Sequence, residues 1–123
     1  MVVNGAGAAA ISCARLFISL CVDRSNLFMC DSKGLLCDAR KDIGGVKKEF
    51  CTTLDAQVLA EIVRDADVFL GVSAANVLTA DMVRSMAADP VVFALANPDP
   101  EISYDEAMAS RPDIIFAPGR SDY

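Results

Sequence analysis

Short apolar runs alternate with helical patterns along the whole chain, and this alternation is the feature that most restricts the fold. It is typical of α/β domains with a parallel sheet, where helices cover both faces and each strand is therefore continuously apolar. The chain has 123 residues, enough for one domain of ordinary size. The apolar runs predict five strands, at residues 2–4, 27–30, 68–71, 91–95 and 114–117.

Four helices are predicted between and after these strands. The first covers residues 8–20 as an apolar helix with one polar stripe, and the second covers residues 54–64. The third begins after Thr79, whose hydroxyl makes it a good N-cap. The fourth begins after Ser103 and ends before Pro112, because the residue ahead of a proline is pushed out of the α region.

Two parts of the sequence interrupt this pattern. Residues 31–51 contain three glycines and mixed charges without a sustained period, which predicts a long excursion after the second strand. The first strand has three residues where a buried parallel strand usually has about five, and the last residues follow a strand and stop. We therefore expect residues 1–123 to be a partial domain, apparently truncated at both ends.

Composition excludes several classes of protein. No apolar run approaches the roughly 18–20 residues that cross a bilayer, and no basic segment follows Met1, so neither a membrane span nor a signal peptide is predicted. A net charge of −6 argues against binding to nucleic acid or anionic membranes. The absence of histidine excludes His-based catalysis and His–metal clusters in these residues. Five cysteines without a C-x-x-C pair predict reduced core residues of a cytoplasmic protein.

A glycine-rich turn connects the first predicted strand to the first helix, Gly5-Ala6-Gly7-Ala8-Ala9-Ala10. It has the G-x-G-x-x-A arrangement of Rossmann-like dinucleotide-binding folds. There the first glycine allows the tight turn, and the second lets the backbone approach a pyrophosphate. N–H groups at the helix N-terminus then bind the phosphates. Alone the motif is weak, because small residues at such a turn also serve close packing.

Asp31 strengthens the dinucleotide hypothesis. It directly follows the second predicted strand, 21 residues after Ala10, near the spacing of about 20 expected for an acid that binds the adenine ribose. The alternative is a solvated acid in a turn, Asp31-Ser32-Lys33-Gly34. Together with the glycine turn, the spacing favours the ribose. Ser32 and Lys33 are able to bind a 2′-phosphate instead, so the choice between NAD and NADP stays open.

The other strands also end in small or polar residues, as expected where a ligand lies along the carboxyl edge of a parallel sheet. Val72 and Ser73 follow the third strand, and Asn97 lies between the fourth strand and a Pro-x-Pro turn that limits its freedom. No acidic pair falls at metal-ligand spacing beside this edge, and no lysine or tyrosine lies in an apolar setting that would tune it as a base. The sequence predicts a cofactor platform without catalytic residues or metal ligands.

Stretches along the whole chain closely resemble the cofactor domain of bacterial-type malic enzymes. They are residues 2–11, 29–34, 93–102 and 119–123, of which Asn-Pro-Asp-Pro-Glu at 97–101 and Gly-Arg-Ser-Asp-Tyr at 119–123 are the most specific. The resemblance implies a doubly wound, mostly parallel α/β sheet. It also implies an enzyme that oxidises malate with NAD or NADP and decarboxylates the product to pyruvate, using Mg²⁺ or Mn²⁺ and usually assembling as a homo-oligomer.

The resemblance further assigns roles to individual residues. The catalytic residues and metal ligands of such an enzyme would lie ahead of the glycine turn, so none is expected in this chain. The implied contacts are the pyrophosphate for Gly5, Gly7, Ala8 and Ala9, the ribose for Asp31, the nicotinamide half for Val72 and Ser73, and nicotinamide ribose and substrate for Asn97.

Two other classes of function share the glycine turn and the following acid. One is a non-catalytic module that binds a nucleotide or a partner protein for regulation. The other, weaker one is a methyltransferase-like domain that uses S-adenosylmethionine. Titration of the chain with NAD, NADP and S-adenosylmethionine distinguishes among these hypotheses.

Overall fold

The computed structural model describes residues 1–53 and 58–119, which form a six-stranded sheet with helices on both faces. The strands are β1 (Val2–Asn4), β2 (Phe28–Asp31), β3 (Gly34–Leu35), β4 (Val68–Gly71), β5 (Val91–Ala94) and β6 (Ile115–Pro118). The helices are α1 (Ala8–Ser19), α2 (Leu59–Ile62), α3 (Ala80–Ser85) and α4 (Tyr104–Ser110), with 3-10 helices at Arg24–Asn26 and Gly45–Phe50.

The strand order is β3-β2-β1-β4-β5-β6, and only the β2–β3 pair is antiparallel within these described strands. From β1 the chain passes to β2 on one side and later to β4 on the other, with Asn4 opposite both Cys30 and Gly71. Such a reversal of strand order opens a crevice at the carboxyl ends of the strands. The predicted Rossmann-like, doubly wound, mostly parallel α/β sheet is confirmed.

The core has two layers because neighbouring residues of a strand face opposite sides of the sheet. Val2 packs in a cluster with Val83 of α3, whereas Val3 packs with Ala14 of α1 in a second cluster. Both valines are fully buried, and each such burial stabilises the fold by roughly 1.5–3 kcal/mol relative to exposure. The two layers together hold the ends of β1, β2 and β4 at one edge.

The excursion predicted for residues 31–51 contains regular structure. The turn after β2 is closed by the Lys33 N–H, which donates to Oδ1 of Asp31 at 2.9 Å, and Gly34 takes a positive φ of +119°. The chain then pairs back onto β2 as β3, which extends β2 one residue beyond its predicted end. A two-residue strand has no measurable periodicity, and for that reason β3 was absent from the sequence prediction. The second regular element is the 3-10 helix Gly45–Phe50.

The predicted helix starts of α3 and α4 are confirmed by their caps. Oγ1 of Thr79 accepts a hydrogen bond from Met82 N, and Oγ of Ser103 accepts one from Glu106 N, both at 3.2 Å. The helix predicted at residues 54–64 is shorter, since α2 begins after Val58, which has an extended backbone. Residues 54–57, and 120–123 at the other end, lie outside the described part of the chain.

All five cysteines are free. Cys30 and Cys37 are buried as predicted, and burial raises the pKa of the Cys30 thiol to about 12. The prediction of a core position is wrong for Cys21, which is exposed because α1 ends before it. Within the described ranges no helix is long and apolar enough to span a bilayer.

Candidate functional site

A cavity of about 830 Å³ lies at the carboxyl ends of β1, β2 and β4, where the strand order reverses. This volume is within the range of small-molecule and cofactor sites. The structure brings six of the residues predicted from the sequence to its wall: Gly5, Gly7, Asp31, Ser32, Lys33 and Ser73. Residues separated by more than 60 positions in the sequence therefore share one site.

Gly5 is required by the fold itself. Its φ is +136°, in a region that other residues rarely adopt. A Cβ atom at this position would also lie 3.1 Å from Cγ2 of Val72 and 3.3 Å from its carbonyl oxygen. The Gly5 N–H donates to the carbonyl of Cys30 at 2.8 Å, which closes the turn against β2.

Gly7 is not required by the fold. It precedes α1 with an extended backbone (φ −86°, ψ −170°) that any residue can adopt, and among the described residues a Cβ atom there would meet no atom within 4 Å. Gly7 also lines the cavity. A glycine with no structural need, exposed beside a helix N-terminus, is the arrangement through which a backbone approaches a phosphate group.

Asp31 marks one end of the cavity, and we call Asp31, Ser32, Lys33 and Lys47 the aspartate end. Two nitrogens of Arg40 donate to Oδ1 and Oδ2 of Asp31, both at 2.9 Å. These hydrogen bonds lower the pKa of Asp31, so the carboxylate stays ionised at neutral pH. Oδ1 accepts from Lys33 N as well, whereas Oδ2 keeps a lone pair for a further donor.

Arg40 is the centre of a small ion-pair network outside the cavity wall. Besides Asp31, it pairs with Asp42 at 2.8 Å and donates to the carbonyl of Leu35 at 3.2 Å. Lys33 Nζ also approaches Asp42, at 3.3 Å. The network balances the negative charge of Asp31. Through the Leu35 carbonyl it also attaches the loop after β3 to that strand.

Lys47 contributes a further positive charge to the aspartate end. It lies half-buried in the 3-10 helix Gly45–Phe50, lines the cavity and interacts electrostatically with Asp31. Sequence analysis missed this residue, because its segment has no pattern that predicts where it packs. The Lys47-Lys48 pair was the only signal available.

The opposite end of the cavity, which we call the serine end, is formed by Asn4, Ser73, Ala74 and Val77. The buried Asn4 side chain donates from Nδ2 to Oγ of Ser73 at 2.9 Å. The Ser73 N–H donates to Oε2 of Glu101 at 3.2 Å, and Glu101 is fully buried behind the cavity wall. Asn4 and Glu101 were both missed as site residues from the sequence.

Four predicted residues lie beside the cavity without lining it among the described residues. Ala8 and Ala9 are exposed in the first turn of α1. Val72 is half-buried, donates its N–H to the Asn4 carbonyl and packs on Gly5. Asn97 is exposed after β5, at the same edge of the sheet, and is joined to Pro98 by a cis peptide bond. Their assigned contacts remain predictions.

Within 1–53 and 58–119, no group of three or more His, Cys, Asp or Glu side chains is arranged to hold a metal ion.

Comparison with known proteins places residues 1–119 in the family described as "Malic enzyme, NAD binding domain". The chain is 50% identical to the NADP-dependent malic enzyme of Haemophilus influenzae, covering 100% of this chain and 16% of that protein. The crystal structure of Entamoeba histolytica malic enzyme superposes with a TM-score of 0.91 at 36% identity, covering 100% of this chain and 27% of that one. That of the NAD-dependent malic enzyme of Thermotoga maritima gives 0.87 at 33% identity, covering 99% and 33%.

Proposed function

The chain belongs to the malic enzyme family as its NAD-binding domain, and from that premise we propose that its cavity binds the NADP or NAD of a malate-oxidising, decarboxylating enzyme. The observation that carries the proposal is the position of Gly7 in the cavity wall. Gly7 lines the cavity beside the N-terminus of α1, and the described residues place no atom within 4 Å of its Cβ position, which leaves room for a phosphate against the backbone. The reaction would convert malate to pyruvate and CO₂.

The residues around Gly7 fit a dinucleotide. The pyrophosphate would lie against Gly5, Gly7 and the exposed first turn of α1, Ala8 and Ala9, where helix N–H groups point to the ligand. Oδ2 of Asp31 would accept a hydrogen bond from the adenine ribose. When bound, the cofactor supplies the hydride acceptor, and the chain binds and orients it.

The aspartate end favours NADP. The negative charge of Asp31 would repel a 2′-phosphate, but Arg40 matches that charge from behind. Because Lys33 is paired with Asp42, the positive balance at this end comes from Lys47, which lines the cavity together with Ser32. Relatives of both preferences occur, since that of Haemophilus influenzae is named as NADP-dependent and that of Thermotoga maritima as NAD-dependent, so the charge distribution is what supports NADP.

The serine end would take the nicotinamide half. Ser73 lines the cavity there, with Val72 packed behind the glycine turn, and Asn97 follows β5 at the same edge. We assign Asn97 to the boundary between nicotinamide ribose and substrate. General base and Mg²⁺ or Mn²⁺ ligands are assigned to none of the described residues. In an enzyme of this kind they would come from the remaining parts, with assembly as a cytoplasmic homo-oligomer.

Calorimetric titration of the chain with NADP⁺, NAD⁺ and S-adenosylmethionine tests the proposal. We expect binding of NADP⁺ more tightly than NAD⁺ and no binding of S-adenosylmethionine. Tight binding of S-adenosylmethionine alone would instead indicate a methyltransferase-like domain, and binding of none of the three would overturn the cofactor site.

A second experiment separates cofactor binding from catalysis. We expect this chain, supplied with malate, Mn²⁺ and NADP⁺, to form no NADPH above the blank, because proton abstraction from the hydroxyl is typically worth about 10²–10⁴-fold and needs a base. Turnover by this chain would show that catalytic residues lie within it. A longer protein containing this sequence that binds NADP⁺ but lacks turnover would favour a regulatory module.

A further inference from the structure

We propose that Glu101 is a positioning residue that holds the segments after β4 and β5 together and thereby fixes the serine end of the cavity. The inference rests on the proposed dinucleotide site, since it concerns how that site is kept in shape. Neither the glycine turn nor the Asp31 pattern points to Glu101. Only its surroundings in the fold do.

Glu101 is a fully buried carboxylate with two backbone donors. Oε1 accepts from Ala96 N at 3.0 Å, and Oε2 accepts from Ser73 N at 3.2 Å. In the part of the chain that the structure describes, no lysine or arginine forms an ion pair with it. Burying a carboxylate is costly unless its hydrogen bonds are made, so these two contacts are what stabilise it there.

The neighbouring strand makes room for this carboxylate. A Cβ atom on Gly71, the last residue of β4, would lie 2.3 Å from both Cδ and Oε2 of Glu101. Gly71 therefore has no side chain because the Glu101 carboxylate occupies that space. A side chain at position 71 would therefore displace the Glu101 carboxylate from its position.

The contacts of Glu101 lead directly to the serine end. Ser73 is held from one side by Glu101 through its N–H and from the other by Asn4 through its hydroxyl. Ala96, the second residue held by Glu101, immediately precedes Asn97. The Glu101 carbonyl also accepts from Leu78 N at 3.0 Å, which attaches the far end of the segment after β4. One side chain thus sets the position of two residues proposed for the nicotinamide half.

Among the described residues, Glu101 forms no hydrogen bond with the aspartate end, where Asp31 is bonded to Arg40 and Lys33. This separation distinguishes a positioning role from a general contribution to stability. Loss of a positioning role weakens a ligand that occupies both ends but spares a ligand confined to the aspartate end. Loss of general stability weakens both ligands together.

The test compares two probes on the Glu101→Gln variant of this chain. Glutamine keeps the size of the side chain but turns an N–H group toward one of the two backbone donors, so one hydrogen bond is lost. We expect the Kd for NADP⁺ to rise about tenfold or more. The Kd for adenosine 2′,5′-bisphosphate, the adenosine half alone, should stay within about twofold of wild type.

A second variant and a control complete the design. Gly71→Ala should give the same split between the two probes, because its Cβ displaces the carboxylate, and it replaces Glu101→Gln if that variant does not fold. The control Ser110→Ala removes another buried polar side chain, which bonds within α4 at 2.6 Å to the Ala107 carbonyl, and should alter neither affinity.

Equal weakening of both probes in the variants, or no weakening of either, would overturn the positioning role. Binding of neither probe by the wild-type chain would overturn the proposed function and this inference with it. Hydrogen exchange on the wild-type chain gives a check that needs no variant. Slow exchange of the Ser73 and Ala96 amides supports the role, and exchange at the rate of unprotected amides contradicts it.

Discussion

The two ends of the cavity are held by opposite physical means. At the aspartate end, Asp31 and Arg40 form a partly exposed ion pair that continues to Asp42 and Lys33 at the surface. At the serine end, the fully buried Glu101 is held by backbone N–H groups. The Asp31 and Arg40 side chains are 18% and 17% exposed, whereas the Lys33–Asp42 pair is 70% and 42% exposed, so only this outer pair contributes little to stability. A buried carboxylate that loses its partners is strongly destabilising.

Because of this difference, the two ends differ in how far their side chains can be replaced. We expect the exposed charges of the aspartate end, such as Lys33, to tolerate exchange, so that a cofactor preference would be adjustable there. The serine end lies on the core, and its geometry cannot vary independently of the packing of β4 and β5. The glycine turn lies between the two ends and serves both.

The largest expected effect comes from Gly7→Val, because Gly7 lies in the glycine turn between the two ends. We expect NADP⁺ binding to weaken by about 100-fold or more, since the side chain would stand where the pyrophosphate approaches, and this is about 2.7 kcal/mol of binding free energy. The circular dichroism spectrum should not change, because the Cβ meets open space.

Gly44→Val is the matched control for Gly7→Val. Gly44 also has an extended backbone and open space at its Cβ, but it does not line the cavity. We expect the Gly44→Val variant to bind NADP⁺ with the same affinity as the wild-type chain. Unchanged affinity in Gly7→Val would show that the glycine turn does not contact the phosphates.

The next largest effect should come from Glu101→Leu, measured as the free energy of unfolding in urea. Leucine has a similar size but no acceptor, so the N–H groups of Ser73 and Ala96 lose their partner, at about 1–3 kcal/mol each. We expect a loss of about 2–4 kcal/mol. Asp42→Asn, in the exposed part of the Arg40 network beside the aspartate end, should leave the urea midpoint almost unchanged, and an equal loss in both variants would remove the contrast.

Cofactor preference provides a third test, confined to the aspartate end. Asp31→Ser should weaken NAD⁺ binding more than NADP⁺ binding, by roughly the 1.5–3 kcal/mol of a hydrogen bond to a charged group. Lys47→Ala should weaken NADP⁺ binding more than NAD⁺ binding, by about threefold to fivefold. Lys48→Ala is the control, because Lys48 lies in the same 3-10 helix but does not line this cavity. Equal losses for both cofactors in Asp31→Ser would show that Asp31 does not contact the ribose.

The smallest effect is a pH dependence of the aspartate end. Arg40 holds the pKa of Asp31 below its unfolded value of about 3.9. The stabilisation is therefore complete above that value and is lost as the pH falls through the lower folded pKa. The difference in unfolding free energy between wild type and Asp31→Asn should stay constant from about pH 7 to 5 and shrink below about pH 4. A difference that shrinks already between pH 7 and 5 would contradict the ion pair.

Much of the fold was predictable because it depends on local patterns. Continuous apolar runs placed the parallel strands within one residue of their observed bounds, and the caps Thr79 and Ser103 placed two helix starts. The strand β3 escaped prediction because two residues carry no period. Its turn, Asp31-Ser32-Lys33-Gly34, is a recognisable signal in hindsight, since the Asp31 side chain bonds the backbone two residues later.

The candidate site was predictable where it follows the ends of strands. Asp31 and Ser73 line the cavity because parallel strands end at one edge of the sheet. Lys47 and Glu101 were missed because their roles depend on contacts across the fold. Glu101 reaches Ser73 over 28 positions in the sequence, and no local pattern encodes that distance.

The sequence by itself determined the alternation of strands and helices, the edge of the sheet at which the candidate site lies and the glycine turn between β1 and α1. Only the tertiary structure decided what surrounds the two glycines, to which the motif had already given different roles. The positive φ of Gly5 and the nearness of Val72 show why the fold needs a glycine there, whereas the described residues place no atom within 4 Å of a Cβ on Gly7. The difference depends on which atoms surround each Cβ position, and those atoms come from strands distant in the sequence.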